Sequence, residues 1–150
     1  MNRINKILCV LPKYSFGDIN KGISPEFNAI YKSIKKNYKN VYFFDSLNSY
    51  NLKKINLELL KIVKNLKPDI IFFAISSYEI NIETLVEIKQ KFRCIMLNWC
   101  SDDEWRFEQH SKILSPYFDC MITTSKKAKF KYAKEKKFSI FLENFENIDY

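Results

Sequence analysis

The chain has 150 residues, 47% of them apolar and 16% aromatic, which excludes a disordered segment and suffices for one buried core. Its formal net charge is +8, but 22 of the 25 basic residues are lysine. With the abundant Asn and Ile, this resembles the codon bias of an AT-rich bacterial genome more than a phosphate-reading surface built from Arg forks, so no nucleic-acid partner is expected.

Met1 to Lys6 is polar, and the following run Ile7 to Leu11 (ILCVL) is too short for a signal-peptide core. The longest uncharged apolar run, Ile70 to Ile75, falls far short of the roughly 20 residues of a spanning helix. A cytoplasmic protein without a membrane span is expected, while peripheral contact with a membrane stays open. Cys9, Cys94, Cys100 and Cys120 show no C-x-x-C spacing and have one histidine to join them, so reduced, structural thiols and no metal site or cofactor are expected.

Lys6 to Leu11 (KILCVL) is a continuous apolar run ending at Pro12, the pattern of a strand buried on both faces. After a loop from Pro12 to Ile23, Ser24-Pro25-Glu26 supplies a cap, a first-turn proline and an acid. Phe27, Ile30, Tyr31, Ile34 and Tyr38 then trace one helix face. Val41 to Phe44 predicts a second strand. Leu52, Ile55, Leu59, Ile62, Val63 and Leu66 mark a second helix, broken at Lys67-Pro68-Asp69. Ile70 to Ile75 is the third strand, and Asn81 caps a third helix carrying Ile82, Leu85, Ile88 and Phe92. Arg93 to Trp99 is the fourth strand. A helix over Glu104 to Leu114, a strand over Asp119 to Thr123, a basic helix over Ser125 to Lys137 and a last strand over Ser139 to Leu142 complete the rhythm. Strands separated by helical patterns imply crossovers and a parallel sheet: one α/β, Rossmann-like, three-layer domain over residues 1–150.

In such a sheet ligands bind beyond the carboxyl ends of the strands, which selects five loops. The first, Pro12–Ile23, contains Gly17 and Gly22 but neither G-x-G-x-x-G nor a Walker loop; its Lys13, Tyr14 and Gly17 are candidate ligand contacts. Ser76 and Ser77 follow the third strand, and Thr124 follows the fifth. The fourth loop is the most informative: Asn98-Trp99-Cys100-Ser101-Asp102-Asp103-Glu104-Trp105 places three acids between two tryptophans. Asp102, Asp103 and Glu104 are candidate general bases, and Asn98 and Trp99 are candidate sugar contacts, since a Trp face stacks on a pyranose ring. Equally, Asp102 or Asp103 caps the next helix. His110 reads as a surface or packing residue, and Lys126 to Lys137 as a solvated face.

The Trp99…Asp102-Asp103 strand end, the stretch Tyr117 to Lys126 (YFDCMITTSK) with Tyr132 beyond, and Leu60 to Phe73 (LKIVKNLKPDIIFF) together resemble the N-terminal half of the CgeB-like, spore-maturation type glycosyltransferases of the GT-B fold. The resemblance implies an acceptor-side domain for hexosyl-type transfer. Its partners would be an acceptor (a sugar or protein glycan) and a nucleotide-sugar donor held mainly by a second Rossmann-like domain, which these 150 residues do not include. The competing reading is a non-catalytic ligand-binding module, cobalamin-binding-like or receiver-like. His110 lacks the D-x-H-x-x-G setting of the former, and the first strand ends in Leu11-Pro12-Lys13 rather than the acidic cluster of the latter.

Overall fold

The computed structural model describes residues 5–75 and 77–142. Six strands form one sheet: β1 (Ile7–Leu11), β2 (Val41–Asp45), β3 (Ile70–Phe73), β4 (Ile95–Cys100), β5 (Cys120–Thr123) and β6 (Ser139–Phe141), in the order β2-β1-β3-β4-β5-β6. Every pairing is parallel. The expected α/β, Rossmann-like three-layer architecture is therefore present. β1 lies inside the sheet, pairing with Val41 and Ile70 through the register of Ile7.

The helices follow the predicted boundaries to within a few residues. A helical segment over 25–37 comprises a π turn, Phe27–Tyr31, and α1 (Lys32–Asn37). α2 spans Leu52–Leu66, α3 Ile82–Lys91 and α6 Lys126–Lys134. Between β4 and β5, α4 (Asp103–Arg106) and α5 (Lys112–Leu114) flank a second π turn, Phe107–Ser111. Caps set these limits. Ser24 Oγ accepts from Phe27 N at 3.0 Å, Asn51 from Lys54 N at 3.0 Å, Asn81 from Thr84 N at 2.9 Å and Ser125 from Ala128 N at 3.2 Å. Lys67 ends α2 in the left-handed region at φ 49°, directly before Pro68.

Alternation along β1 divides the core. Leu8 and Val10 join Ile55, Leu59, Leu85, Ile88, Phe107 and Tyr132, so α2, α3, the α4–α5 segment and α6 all cover one face. Ile7, Cys9 and Leu11 join Ile30, Phe27, Tyr31 and Ile34 on the other. The rings of Phe27 and Tyr31 each lie 5.0 Å from that of Phe43, which seats this segment over β2. The asymmetry has a physical origin. From β1 the chain steps one way to β2, and every later crossover advances the other way. Crossovers of one hand put their helices on opposite faces when the step direction reverses.

One buried polar residue holds two helices in place. Asn56 Nδ2 donates to Leu52 O at 2.8 Å and Glu79 O at 2.9 Å, and its Oδ1 accepts from Asn81 N at 3.0 Å. This side chain joins the inner face of α2 to the start of α3. Asn56→Ala leaves the Asn81 N–H and the Glu79 carbonyl without it, so we expect a loss of about 2–4 kcal/mol in urea unfolding. A loss below about 0.5 kcal/mol would show that the staple is dispensable.

Candidate functional site

Reversal of the strand order between β1 and β3 opens a crevice at the carboxyl edge of the sheet. Ala74 and Ile75 from the end of β3, Trp99 to Asp103 from the end of β4, and Glu26 from the first helical segment form its walls; Arg106 and His110 close it. The enclosed space is small, about 20 Å³, room for one water. The crevice is thus shallow and open on one side.

Its floor is polar and fully tied. Asn98 is buried; Oδ1 accepts from Ile75 N at 3.3 Å and Nδ2 reaches Cys100 Sγ at 3.1 Å, so the side chain links the ends of β3 and β4. Asp103 is 1% exposed. Its Oδ1 accepts a short hydrogen bond from Ser111 Oγ, and its Oδ2 accepts from Tyr132 OH at 2.8 Å. Burial pushes the Asp103 carboxyl above its ordinary range, and the hydrogen bonds from Ser111 and Tyr132 oppose that rise. Burial likewise pushes up the Tyr132 phenol and the Cys100 thiol.

Asp102 is, of the three predicted acids, the one left on the cleft, which Glu26 also lines. It occupies the cap position of α4, yet its side chain makes no capping bond; Arg106 Nη1 stands 4.0 Å from its Oδ2. Neither aspartate therefore caps this helix through its side chain. Glu104 points away from the crevice and pairs with Lys127 Nζ at 2.7 Å; the hydrogen bond and charge of that lysine hold its carboxyl below the usual range.

Trp99 supplies an apolar wall and is 8% exposed. Thr124 Oγ1 donates to Ser101 O at 3.1 Å, anchoring the β4–α4 loop from behind. Ser77 is exposed; its N–H donates to Glu79 Oε2 at 2.8 Å. Ser76 lies outside the described residues. Lys13, Tyr14 and Gly17 do not line the crevice. Lys13 N donates to Asp45 at 3.1 Å, Tyr14 pairs with Ile23 in an antiparallel bridge, and Gly17 packs against Leu47. Among the eleven candidates, Asn98, Trp99, Asp102 and Asp103 come together.

Sequence reading passed over two cleft residues as chemistry. His110, assigned to packing or surface, is buried with Nε2 3.3 Å from Ser77 O and its ring 5.3 Å from that of Tyr78. Burial lowers its pKa, helped by the nearby Arg106. Arg106 is one of three arginines in a lysine-rich chain, and that rarity was the available signal.

No protein-family model matches the sequence, and a comparison with curated proteins returns no match.

The His110 shift fixes a pH dependence. A histidine whose folded pKa is depressed adds stability that is present above the unfolded value of about 6.5 and is lost as pH falls through the folded value. Wild type should therefore lose stability relative to His110→Gln on going from about pH 7 to about pH 5. Comparing the two proteins cancels the opposite trend of Asp103, whose raised carboxyl favours the folded state at low pH. Parallel denaturation midpoints across that range would refute the assignment.

Proposed function

We propose that this domain is the acceptor-side half of a glycosyltransferase of the GT-B type, acting on an activated nucleotide sugar. The observation that carries the reading is the crevice at the strand-order switch, where an unburied carboxylate, Asp102, stands beside the wall of Trp99 and the guanidinium of Arg106. Such a crevice offers an acceptor sugar the exposed edge of an apolar wall and a base within reach of a hydroxyl. Its small enclosed volume and open side suit a site completed by a second domain carrying the donor.

Asp102 is the base in this reading. It takes the acceptor hydroxyl proton as that oxygen bonds to the anomeric carbon. The bond from that carbon to the nucleotide's phosphate oxygen breaks, and the leaving diphosphate takes the electron pair. Asp103 has a positioning role, because both its oxygens are engaged by Ser111 and Tyr132. Glu104, paired with Lys127, drops out of the set of bases.

The test is an assay of residues 1–150 with a panel of nucleotide sugars and acceptors, alone and with a GT-B donor domain supplied. The chain alone should bind acceptor and show no turnover, because the donor phosphates lack their preorganised charges. With the donor domain, Asp102→Asn should lower kcat by about 10²–10⁴-fold. Turnover by the chain alone would defeat the half-enzyme reading. Full activity of Asp102→Asn would remove Asp102 as the base, and absence of turnover with the donor domain supplied would leave the non-catalytic binding module as the better account.

A further inference from the structure

The loop from β1 to the first helical segment is folded upon itself. Ser15 N donates to Gly22 O and Ser24 N to Lys13 O, both at 3.0 Å, closing a neck below two 3-10 turns, Ser15–Gly17 and Ile19–Lys21. Ser24 Oγ ties that neck to Pro12 O at 2.6 Å. Yet the tip turns its apolar residues outward: Phe16 is 82% exposed and Ile19 65%. Phe16 also sits in the left-handed region, at φ 55° and ψ 22°, followed by Gly17 at φ 72°. That conformation is unfavourable for a bulky side chain and persists only where the surroundings impose it. A hydrogen-bonded frame that holds an aromatic ring in water in a strained conformation is a reason to look for what the ring meets.

The neighbouring β2–α2 loop extends the surface. A Cβ placed on Gly17 would stand 3.1 Å from Leu47, so the two loops abut. Beyond Leu47 come Tyr50, 99% exposed, and Leu52, also exposed. The cations here face outward: Lys21 Nζ lies 4.6 Å from the Phe16 ring centre, Lys53 is exposed, and Lys54 is 4.0 Å from Glu58. The two loop acids are engaged by hydrogen bonds within the loops, Asp18 on the exposed tip and Asp45 at its base. Asp18 Oδ1 accepts from Asn20 N at 2.9 Å, and Asp45 Oδ1 accepts from Lys13 N and Leu47 N at 3.1 Å each.

We propose that this double loop seats the protein on an anionic lipid bilayer. Phe16, Ile19 and Tyr50 enter the headgroup boundary, and Lys21 and Lys53 meet the lipid phosphates. Apolar side chains carried singly on loop tips and interleaved with lysine match the depth and charge of that boundary. The +8 net charge adds attraction over longer range. The inference does not rest on the sugar-transfer reading. The two meet in geometry, since the loops and the crevice share the carboxyl edge of the sheet, so a chain seated this way brings its crevice to the lipid surface.

The test is co-sedimentation of the intact chain with vesicles of phosphatidylcholine alone or mixed with phosphatidylglycerol, at low and high salt. Binding should require phosphatidylglycerol and weaken with salt. Phe16→Gly and Ile19→Ser should each lower the apparent affinity by about tenfold or more. Glycine accepts φ 55° without strain, so Phe16→Gly should melt no lower than wild type, which separates lost binding from lost fold. Phe16→Trp should show a blue-shifted emission that brominated lipid quenches. The proposal is overturned by absence of binding to the phosphatidylglycerol vesicles, by unchanged binding of Phe16→Gly and Ile19→Ser, or by losses confined to Lys129→Glu and Lys134→Glu. The last result would assign the attraction to the diffuse charge of α6.

Discussion

All five residues of β1 are buried, and the arrangement of the rest follows from that. A strand with apolar side chains on both faces needs a neighbour on each edge and a helix layer above and below. β2 and β3 take the edges. Helices reach both faces only if the chain reverses its direction of travel across the sheet, which it does once, after β2. The same reversal sends the segments after β1 and β3 to opposite faces, and the crevice lies between them, with Glu26 on one side and Ala74, Ile75 and the end of β4 on the other. Ala74 N donates to Val10 O at 3.0 Å there, keeping the two strands together up to the point where their loops diverge. The place of the candidate site is thus a consequence of burying ILCVL.

The second organising interaction is the buried carboxylate of Asp103. An unpaired carboxylate at 1% exposure would be strongly unfavourable, and two hydroxyl donors make it tolerable. Those donors come from the π turn and from α6, so one side chain joins the start of α4 to both. Consecutive residues at a helix start point about 100° apart. With Asp103 turned into the core, Asp102 is directed outward to the crevice. The adjacent acids have different environments for a geometric reason: Asp103 is tied in the core and Asp102 is open to the crevice.

Much of the fold was legible because its signals are local. β1, α2 and α3 announce themselves through an apolar run, a periodic stripe and an Asn cap, and their boundaries agree closely. The end of β3 was read two residues too long: Ala74 and Ile75 remain buried, but as crevice wall beyond the ladder. Composition signals that apolar residues are inside, not where strand pairing stops. The site was half legible. Trp99 and Asp102 stood out as a strand-end aromatic beside acids. Burial of His110 depends on Ser77 and Tyr78, some thirty residues away, a pairing that no local pattern carries. The loop residues Lys13, Tyr14 and Gly17 lie at the carboxyl edge of the sheet but outside the crevice, because the direction a loop leans is set by contacts such as Gly17 with Leu47.

Neither π turn was legible, and both lie on helical segments that border the crevice. In each, the closing bond spans five residues, Lys32 N to Phe27 O and Lys112 N to Phe107 O. A π turn is less favourable than the α turn it replaces, so the contacts that it permits must hold it. For Phe107–Ser111 those contacts are identifiable. Phe107 meets the Tyr132 ring at 4.9 Å, Ser111 meets Asp103, and His110 meets Ser77. Two of the three are polar and reach the crevice floor or its rim. Loosening them favours relaxation to an α turn, and that relaxation rotates everything N-terminal of Phe107 relative to everything after it. Arg106 and Asp102 lie on one side of that hinge and His110 on the other. The geometry of the crevice therefore depends on the network of Asp103, Ser111 and Tyr132, of which the first two also line it.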